Sequence, residues 1–391
     1  MVSSTGFTAS RPRRADVTAL AAALRGLKVS AEEIANRSRL PLPRVEAIVA
    51  GDAAAMSEVR AIASGLRVPL HLLARKDRAS EAPRVRPLFR DTQPGSTAQD
   101  LTVDKVAAFV DAALAILPER SSLPQWLEPF RTAERTYAEA DRLATLFRRM
   151  VFREPDEQPA NDLLTLLGSL EGVVVARLNY SRYEGVSLVA GNYCFIFVSP
   201  RFQGRMLFTA GHELGHVVAH HRGEGPAVLD LPTDIGTFGR RSREEAFVDA
   251  FSSCLLLPDV GVARSLRMFK EHLGTTADRI DDRELLLLAR FYGTSFDVAA
   301  RRCEDLGLLP PGVGHGLADL LRKQFGSPEK RAEALGLPAR ADIPFPPISA
   351  TLAEALSRAI NLGEISIGWA ADRLGVSIGE ILAANTRPVE A

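Results

Sequence analysis

Apolar residues recur at helical spacing through the first part of the chain. Between residues 16 and 76 they fall into five short segments separated by polar or Gly-containing turns: 16–26, 30–38, 42–49, 56–65 and 69–75. Ser30 followed by Glu33 forms a capping box for the second segment, and Gly51 stands where the end of a helix favours glycine. The pattern predicts a five-helix bundle over residues 16–76.

The period changes in the middle of the chain. Helical patterns at 102–117, 134–152 and 161–170 are followed by three β-branched or aromatic runs, 173–178, 185–189 and 194–198. Because Gly, Asn and Pro bound these runs, they predict the strands of a small antiparallel or mixed sheet. Helical spacing returns after Pro200, and we expect an α+β protein.

Proline-containing breaks divide this pattern into domains. We expect a bundle at 16–76, a linker at 77–100, a central domain with a helical lead-in at 101–309 and a helical C-terminal domain at 317–385. A basic run in the linker, residues 84–90, either touches nucleic acid or packs as a strap on the next domain, and we favour the strap. Residues 364–382 have a helix-turn-helix cadence with little basic charge, which favours packing over DNA contact.

Composition narrows the function classes. The chain is 46% hydrophobic and 25% charged, within the range of ordinary globular proteins. Three widely spaced cysteines argue against a disulfide framework, and no run approaches the roughly 20 apolar residues of a membrane helix. We therefore expect a cytoplasmic protein without a membrane partner. Although the net charge is zero, residues 1–76 carry twelve Lys or Arg against six Asp or Glu, which is compatible with phosphate contacts.

The segment His212-Glu213-Leu214-Gly215-His216 carries the strongest chemical signal. On a helix, two histidines four residues apart present their imidazoles on one face, as two tetrahedral zinc ligands require. Glu213 adjoins that face, where it can take a proton from the attacking water and pass it to the leaving amine. We predict Zn²⁺ as the cofactor and Glu213 as the catalytic residue.

A second predicted helix supplies the third ligand. Glu245 and Asp249 lie four residues apart beside its apolar face, where charged groups need a partner. We expect Glu245 to bind zinc and Asp249 to accept the second ring proton of a ligand histidine. The alternative is a solvated helix edge whose carboxylates pair with Arg241 or Arg243. Glu244 is a weaker rival for the metal because it points about 100° away around the helix.

His220 lies one turn beyond His216, but the chain does not fit the longer zinc motif with a third histidine. That motif needs Gly at 219 and His at 222, whereas this sequence has Ala219 and Arg222. We interpret His220 as a pocket-edge or structural residue. The candidates for the oxyanion-stabilising group are Tyr193, Tyr292 and His220.

Residues 134–309 resemble the ImmA/IrrE family of zinc metallo-endopeptidases. Three stretches carry the resemblance: 205–216, 245–258 and 291–308. Gly211 stands where the family pattern usually has Ala, and Asp249 stands where Asn is common. The resemblance implies a zincin-like domain that cleaves a protein partner, typically a helix-turn-helix transcriptional repressor, in a stress or mobile-element response.

Residues 30–51 resemble the helix-turn-helix of XRE/Cro-type regulators. The matching positions are Ile34, Ala35, Val45, Ile48 and Gly51. In that fold the second helix reads the major groove, so Arg44 is a candidate base contact, with Arg37 and Arg39 as further candidate DNA contacts. Ala31 departs from the pattern, which usually has a phosphate-clamping Gln there. The alternative is a bundle that binds a protein partner or forms a homodimer.

Two function classes remain open from the sequence. The leading hypothesis is a zinc endopeptidase whose N-terminal bundle docks on double-stranded DNA or on a DNA-bound repressor. The alternative is a DNA-binding transcriptional regulator or antitoxin whose peptidase-like domain senses metal or a ligand with little catalysis.

Overall fold

A computed structural model describes most of the chain. The described ranges are 29–66, 101–132, 134–152, 157–179, 181–221, 225–231, 242–274 and 279–385, together with the single positions 20, 21, 24, 73, 85, 88, 223 and 235. These residues form many helices and one small mixed four-stranded sheet. The expected α+β class is confirmed.

Three helices are described in the N-terminal part: α1 (Ala31–Ser38), α2 (Leu42–Ala50) and α3 (Met56–Leu66). Ser30 caps α1 by accepting a hydrogen bond from the amide of Glu33 at 3.2 Å. Arg39, at φ 58°, turns the chain between α1 and α2, and Gly51, at φ 118°, ends α2. The predicted segments 16–26 and 69–75 lie outside the described residues apart from single positions, of which Leu20, Leu24 and Leu73 are buried in the same core as the three helices.

The three predicted strands are present as β1 (Val173–Arg177), β2 (Gly185–Ala190) and β3 (Tyr193–Val198). Gly191 and Asn192 both have positive φ, as a two-residue hairpin between β2 and β3 requires. A fourth strand, β4 (Val228–Asp230), was not expected. The order is β1-β3-β2-β4, with β1 parallel to β3 and β2 antiparallel to both neighbours.

Helices cover both faces of the sheet, and for that reason its strands are nearly continuous apolar runs. On one face, Val175 and Ile196 join a core with the helices α5 (Tyr137–Phe147), α6 (Leu163–Ser169), α7 (Gln203–Ala219), α8 (Arg243–Leu256), α9 (Asp259–Leu273), α10 (Asp282–Phe291), α11 (Phe296–Asp305), α12 (Val313–Phe325) and α13 (Pro328–Ala334). On the other, Val174 and Phe195 pack with α4 (Leu101–Leu114), α14 (Ala350–Asn361), α15 (Ile367–Leu374) and α16 (Ile378–Asn385).

Residues of the predicted C-terminal region 317–385 contribute to both cores. Ala318, Leu321 and Ala332 belong to the first core, whereas Leu352 and Leu356 belong to the second. The extended Pro-rich segment 338–347 carries the chain from one face to the other, and its apolar side chains Ile343 and Phe345 are buried in the first core on the way.

The linker is described at two positions, and both contact the second core. Val85 is buried there, and the carbonyl of Leu88 accepts a hydrogen bond from the amide of Ala227 at 2.8 Å. Ala227 immediately precedes β4, so the linker touches the edge of the sheet.

Among the helices in the described part of the chain, none is by itself long and apolar enough to cross a membrane.

Candidate metal centre

Helix α7 runs through the first core and carries His212, Glu213 and His216. All three are buried, with exposures of 0%, 0% and 2%. Its 17 residues contain no proline, and nearly every residue from Gly204 to Ala219 is buried. A helix that is enclosed on all sides can carry ionisable side chains only if those side chains have partners.

Two glycines let α8 approach α7 closely. A Cβ on Gly211 would lie 2.6 Å from Oγ of Ser252, and one on Gly215 would lie 2.9 Å from Cβ of Val248. Ser252 donates a hydrogen bond from Oγ to the carbonyl of Phe208 at 2.8 Å, which fixes this contact. The Gly at 211, where the resemblance leads one to expect Ala, therefore makes room for Ser252. The close packing brings the first turns of α8 against the two histidines.

Four side chains converge on one point. Nε2 of His212 and Nε2 of His216 are 3.2 Å apart. Glu245 places Oε2 3.4 Å from Nε2 of His212 and Oε1 3.7 Å from Nε2 of His216. Asp230 places Oδ2 3.6 Å and 3.7 Å from the same two nitrogens. One ligand atom from each residue lies within 4.8 Å of every other.

The donor set fits a metal ion. Ligand atoms bonded at about 2.0–2.1 Å to a tetrahedral ion lie about 3.3–3.4 Å apart, close to the separations found here. Among the described residues, Oδ2 of Asp230 and Oε2 of Glu245 are buried and make no hydrogen bond. A bound cation would satisfy these oxygens. Imidazole and carboxylate suit zinc, and they also bind manganese and iron.

Asp230 is the member of this cluster that sequence reasoning missed. It ends β4, the short strand that the sequence pattern does not predict. The only signal is one carboxylate in the otherwise apolar run 227–231. A three-residue strand is too short for alternation to be recognised.

Groups outside the cluster orient both imidazoles. Oδ1 of Asp249 lies 2.9 Å from Nδ1 of His212, and Nδ1 of His220 lies 2.8 Å from Nδ1 of His216. Because the Nε2 atoms face the cluster, the Nδ1 atoms are free to make these second contacts, which hold the rings in place. His220, interpreted from sequence as a pocket-edge or structural residue, thus packs directly on His216. Glu244 is exposed and lies outside the cluster.

The carboxylate of Glu213 occupies a space that only glycine leaves open. A Cβ on Gly185 would lie 1.9 Å from Oε1 of Glu213. Gly185 pairs with Asp230 across β2 and β4, and side chains at paired positions lie on the same face of a sheet. Glu213 is therefore held beside Asp230, next to the four-residue cluster.

The carboxylates of the pocket interact strongly with one another and with the histidines, and together they favour a bound positive charge. Burial raises the pKa of Glu213 well above its ordinary value, and the charge of Asp230 raises it further. For Asp230, burial alone would raise the pKa, but interaction with His212 and His216 lowers it overall.

The histidines respond to the same field. Burial would lower the pKa of His212, but the carboxylates of Asp230 and Glu245 raise it to about 10. The pKa of His216 is lowered by burial and by the charge of His212. The carboxylates of this pocket favour a charged His212, and the charge of His212 disfavours a second charge on His216. The pocket therefore stabilises one protonated imidazole more readily than two.

The region around the cluster also matches a known family. Residues 171–304, from the turn before β1 to the end of α11, match the peptidase M78 model described as the IrrE N-terminal-like domain. This match supports the ImmA/IrrE family. It also supports a metallopeptidase-like function for the M78-like region, as residues 171–304 are called below. A search of the curated proteins gives no match to the chain.

The candidate DNA contacts lie on α1, on α2 and in the turn between them, and the match does not cover them. Arg37 and Arg39 are exposed, and Arg37 pairs with Glu33 at 2.5 Å. Arg44 forms two hydrogen bonds to Glu58, at 2.7 and 2.8 Å, and a third to the carbonyl of Ala53 at 2.7 Å. A base contact by Arg44 requires it to leave these partners, so DNA contact remains a prediction.

Two of the three oxyanion candidates are engaged elsewhere. The hydroxyl of Tyr193 donates to the carbonyl of Pro118 at 2.9 Å, and that of Tyr292 donates to the carbonyl of Glu157 at 2.9 Å. Neither hydroxyl belongs to the cluster, whereas His220 adjoins it through His216.

Proposed function

We propose that this protein is a zinc-dependent endopeptidase that cleaves a protein partner, namely a helix-turn-helix transcriptional repressor. One observation carries the proposal: two imidazole Nε2 atoms 3.2 Å apart meet the carboxylates of Asp230, which is buried, and Glu245, which is partly buried, beside Glu213. The M78-like region supports it independently, because the match covers every residue of this arrangement.

In this proposal His212, His216 and Glu245 hold the zinc, and Asp249 orients His212. Bound zinc supplies a Lewis acid that polarises the scissile carbonyl and makes water more acidic. Glu213 takes one proton as water adds to the carbonyl carbon, and it returns that proton to the amine nitrogen as the C–N bond breaks. The buried position of Glu213 excludes bulk water from this proton transfer.

In this proposal the N-terminal bundle brings the peptidase to the place where its substrate is bound. Residues 16–76 dock on DNA or on a DNA-bound repressor, which brings the peptidase to its substrate. Exposed Arg37 and Arg39 at the turn between α1 and α2 supply positive charge there. Phosphate contacts of this kind weaken steeply with salt.

A second function is favoured by one specific observation. Four protein side chains surround the metal position, and a closed set of four ligands is typical of structural zinc sites. The alternative is therefore a DNA-binding transcriptional regulator or antitoxin whose M78-like region binds metal with little catalysis.

The deciding experiment compares wild type, Glu213→Gln and the matched control Glu244→Gln, an exposed carboxylate outside the cluster. We expect about one zinc per chain in all three by metal analysis. Cleavage of helix-turn-helix repressors from the same cell should occur with wild type and the control, and should fall at least about a hundredfold in Glu213→Gln.

Zinc in all three proteins without cleavage of any repressor would favour the regulator. Wild-type protein that retains no metal after exposure to zinc would contradict both functions.

A further inference from the structure

Four protein side chains, those of His212, His216, Asp230 and Glu245, supply donor atoms to the candidate metal position. The distances from the two Nε2 atoms to each other and to the nearest oxygens of Asp230 and Glu245 are 3.2 to 3.7 Å, close to the edges of a tetrahedron around one ion, and one ligand atom from each residue lies within 4.8 Å of every other. A hydrolytic zinc site uses three protein ligands and keeps the fourth position for water. Here Asp230 supplies a fourth protein donor, with Oδ2 3.6 and 3.7 Å from the two Nε2 atoms.

Asp230 also lies between the two histidines and the space beside Glu213. Water must lie between the metal and Glu213 if Glu213 is to take its proton. The Asp230 carboxylate borders that space: its Oδ2 lies 3.6 and 3.7 Å from the two Nε2 atoms, and Asp230 pairs with Gly185, where an added Cβ would lie 1.9 Å from Oε1 of Glu213.

The strand that carries Asp230 covers the edge of the sheet beside the site. β4 pairs with β2 in antiparallel register, with Gly185 opposite Asp230 and Ser187 opposite Val228. An extended peptide binds a sheet by pairing with such an edge. A substrate strand that approached Glu213 along β2 would meet β4 in its place.

We propose that Asp230 is the fourth metal ligand and that β4 is a built-in substitute for substrate, so that the site shown here is a latent form. The inference rests on the proposed function. Cleavage then requires Asp230 to leave the metal and β4 to leave β2, which opens the water position and the strand edge together. Because β4 is only three residues long, its release from β2 requires less free energy than unfolding the sheet.

The test uses the full chain loaded with Co²⁺, whose visible spectrum reports its ligands, and azide as a probe of an open position. In wild type, azide should leave the spectrum unchanged at concentrations that saturate Asp230→Asn. Asp230→Asn should bind Co²⁺ about tenfold to a hundredfold more weakly, shift its spectrum with azide and cleave repressor at least about tenfold faster than wild type.

Glu184→Gln is the matched control. Glu184 is equally buried and precedes β2, and its backbone amide donates to the carbonyl of Asp230 at 2.8 Å, a bond that Gln retains; its side chain pairs with Arg205 at 3.6 Å. It should behave as wild type in all three measurements. If Asp230→Asn does not fold, the azide titration of wild type still decides, because a closed site excludes azide and an open site binds it.

The outcomes separate this inference from the proposed function. A wild-type spectrum that shifts with azide overturns the fourth-ligand assignment and leaves the peptidase proposal standing. Asp230→Asn that binds azide but cleaves no faster than wild type overturns latency. Azide exclusion by wild type, with no cleavage by either protein, supports Asp230 as a ligand and contradicts the peptidase.

Discussion

In the N-terminal bundle, Arg44 lies between the Glu58 carboxylate and the carbonyl of Ala53, and one cation matches one anion. In the M78-like region, two imidazoles share a buried pocket with four carboxylates, those of Glu213, Asp230, Glu245 and Asp249. The first arrangement is complete within the protein. The second has an excess of negative charge that burial makes costly, and a divalent cation would balance it. Charge balance therefore separates a structural ion pair from a candidate metal site.

The strongest test of this comparison removes one side of the metal pocket. We expect His212→Ala to weaken zinc binding roughly a thousandfold, because it deletes one ligand and leaves the carboxylates without it. Competition with a chromophoric chelator measures the affinity. His315→Ala, which removes an exposed histidine that pairs with Asp319 on α12, is the control and should not change zinc affinity. Equal loss in both variants would contradict the assignment.

The next test separates chemistry from metal binding. Gly185→Ala would place a methyl group 1.9 Å from Oε1 of Glu213, so the carboxylate must move. We expect cleavage to fall about a hundredfold with zinc content unchanged, since a displaced proton acceptor loses its alignment. Gly223→Ala, whose added Cβ would touch nothing within 4 Å, should retain full activity. Loss of zinc in Gly185→Ala would show that β2 supports the ligands instead.

A smaller effect on zinc affinity is expected at Asp249, which contacts the ligand His212 rather than the metal position. Asp249→Ala should weaken zinc binding about tenfold to a hundredfold, because His212 loses the acceptor that orients its ring at 2.9 Å. Asp249→Asn keeps an oxygen acceptor and should stay within a few-fold of wild type. Chelator competition on both variants distinguishes the roles: an equal loss in both would mean that the charge of Asp249, rather than its acceptor geometry, matters.

The smallest effect is expected in the bundle. Arg44→Gln should lower the midpoint of thermal unfolding by no more than a few degrees, because partly exposed ion pairs contribute little. Zinc affinity should not change. Circular dichroism and chelator competition on the same sample check both statements, and a large loss of zinc would show that the two regions are coupled.

Local spacing made the core of the site predictable. His212 and His216, and then Glu245 and Asp249, are each four residues apart, so one helical turn aligns each pair before any tertiary contact is known. Glu213 followed from its place between the histidines. In the bundle, the predicted segments 30–38, 42–49 and 56–65 agree with α1, α2 and α3 within about a residue.

Tertiary contacts account for what the sequence did not reveal. Asp230 joins the cluster only because β4 pairs with β2, and a three-residue strand has no period to detect. The division of region 317–385 between two cores was hidden for a related reason. Strands buried on both faces are continuous apolar runs, and such runs do not reveal which helices cover which face.

The hydrogen bond between Leu88 and Ala227 has a practical consequence for dissecting the protein. A fragment that begins at residue 101 would free the amide just ahead of β4 and uncover the apolar surface beneath Val85. In such a fragment β4 would lack its contact with the linker. The activity of the fragment therefore need not equal that of the intact chain. Conversely, if a docked N-terminal bundle pulled on the linker, the force would act on Ala227 through its hydrogen bond to Leu88. Ala227 is three residues from Asp230.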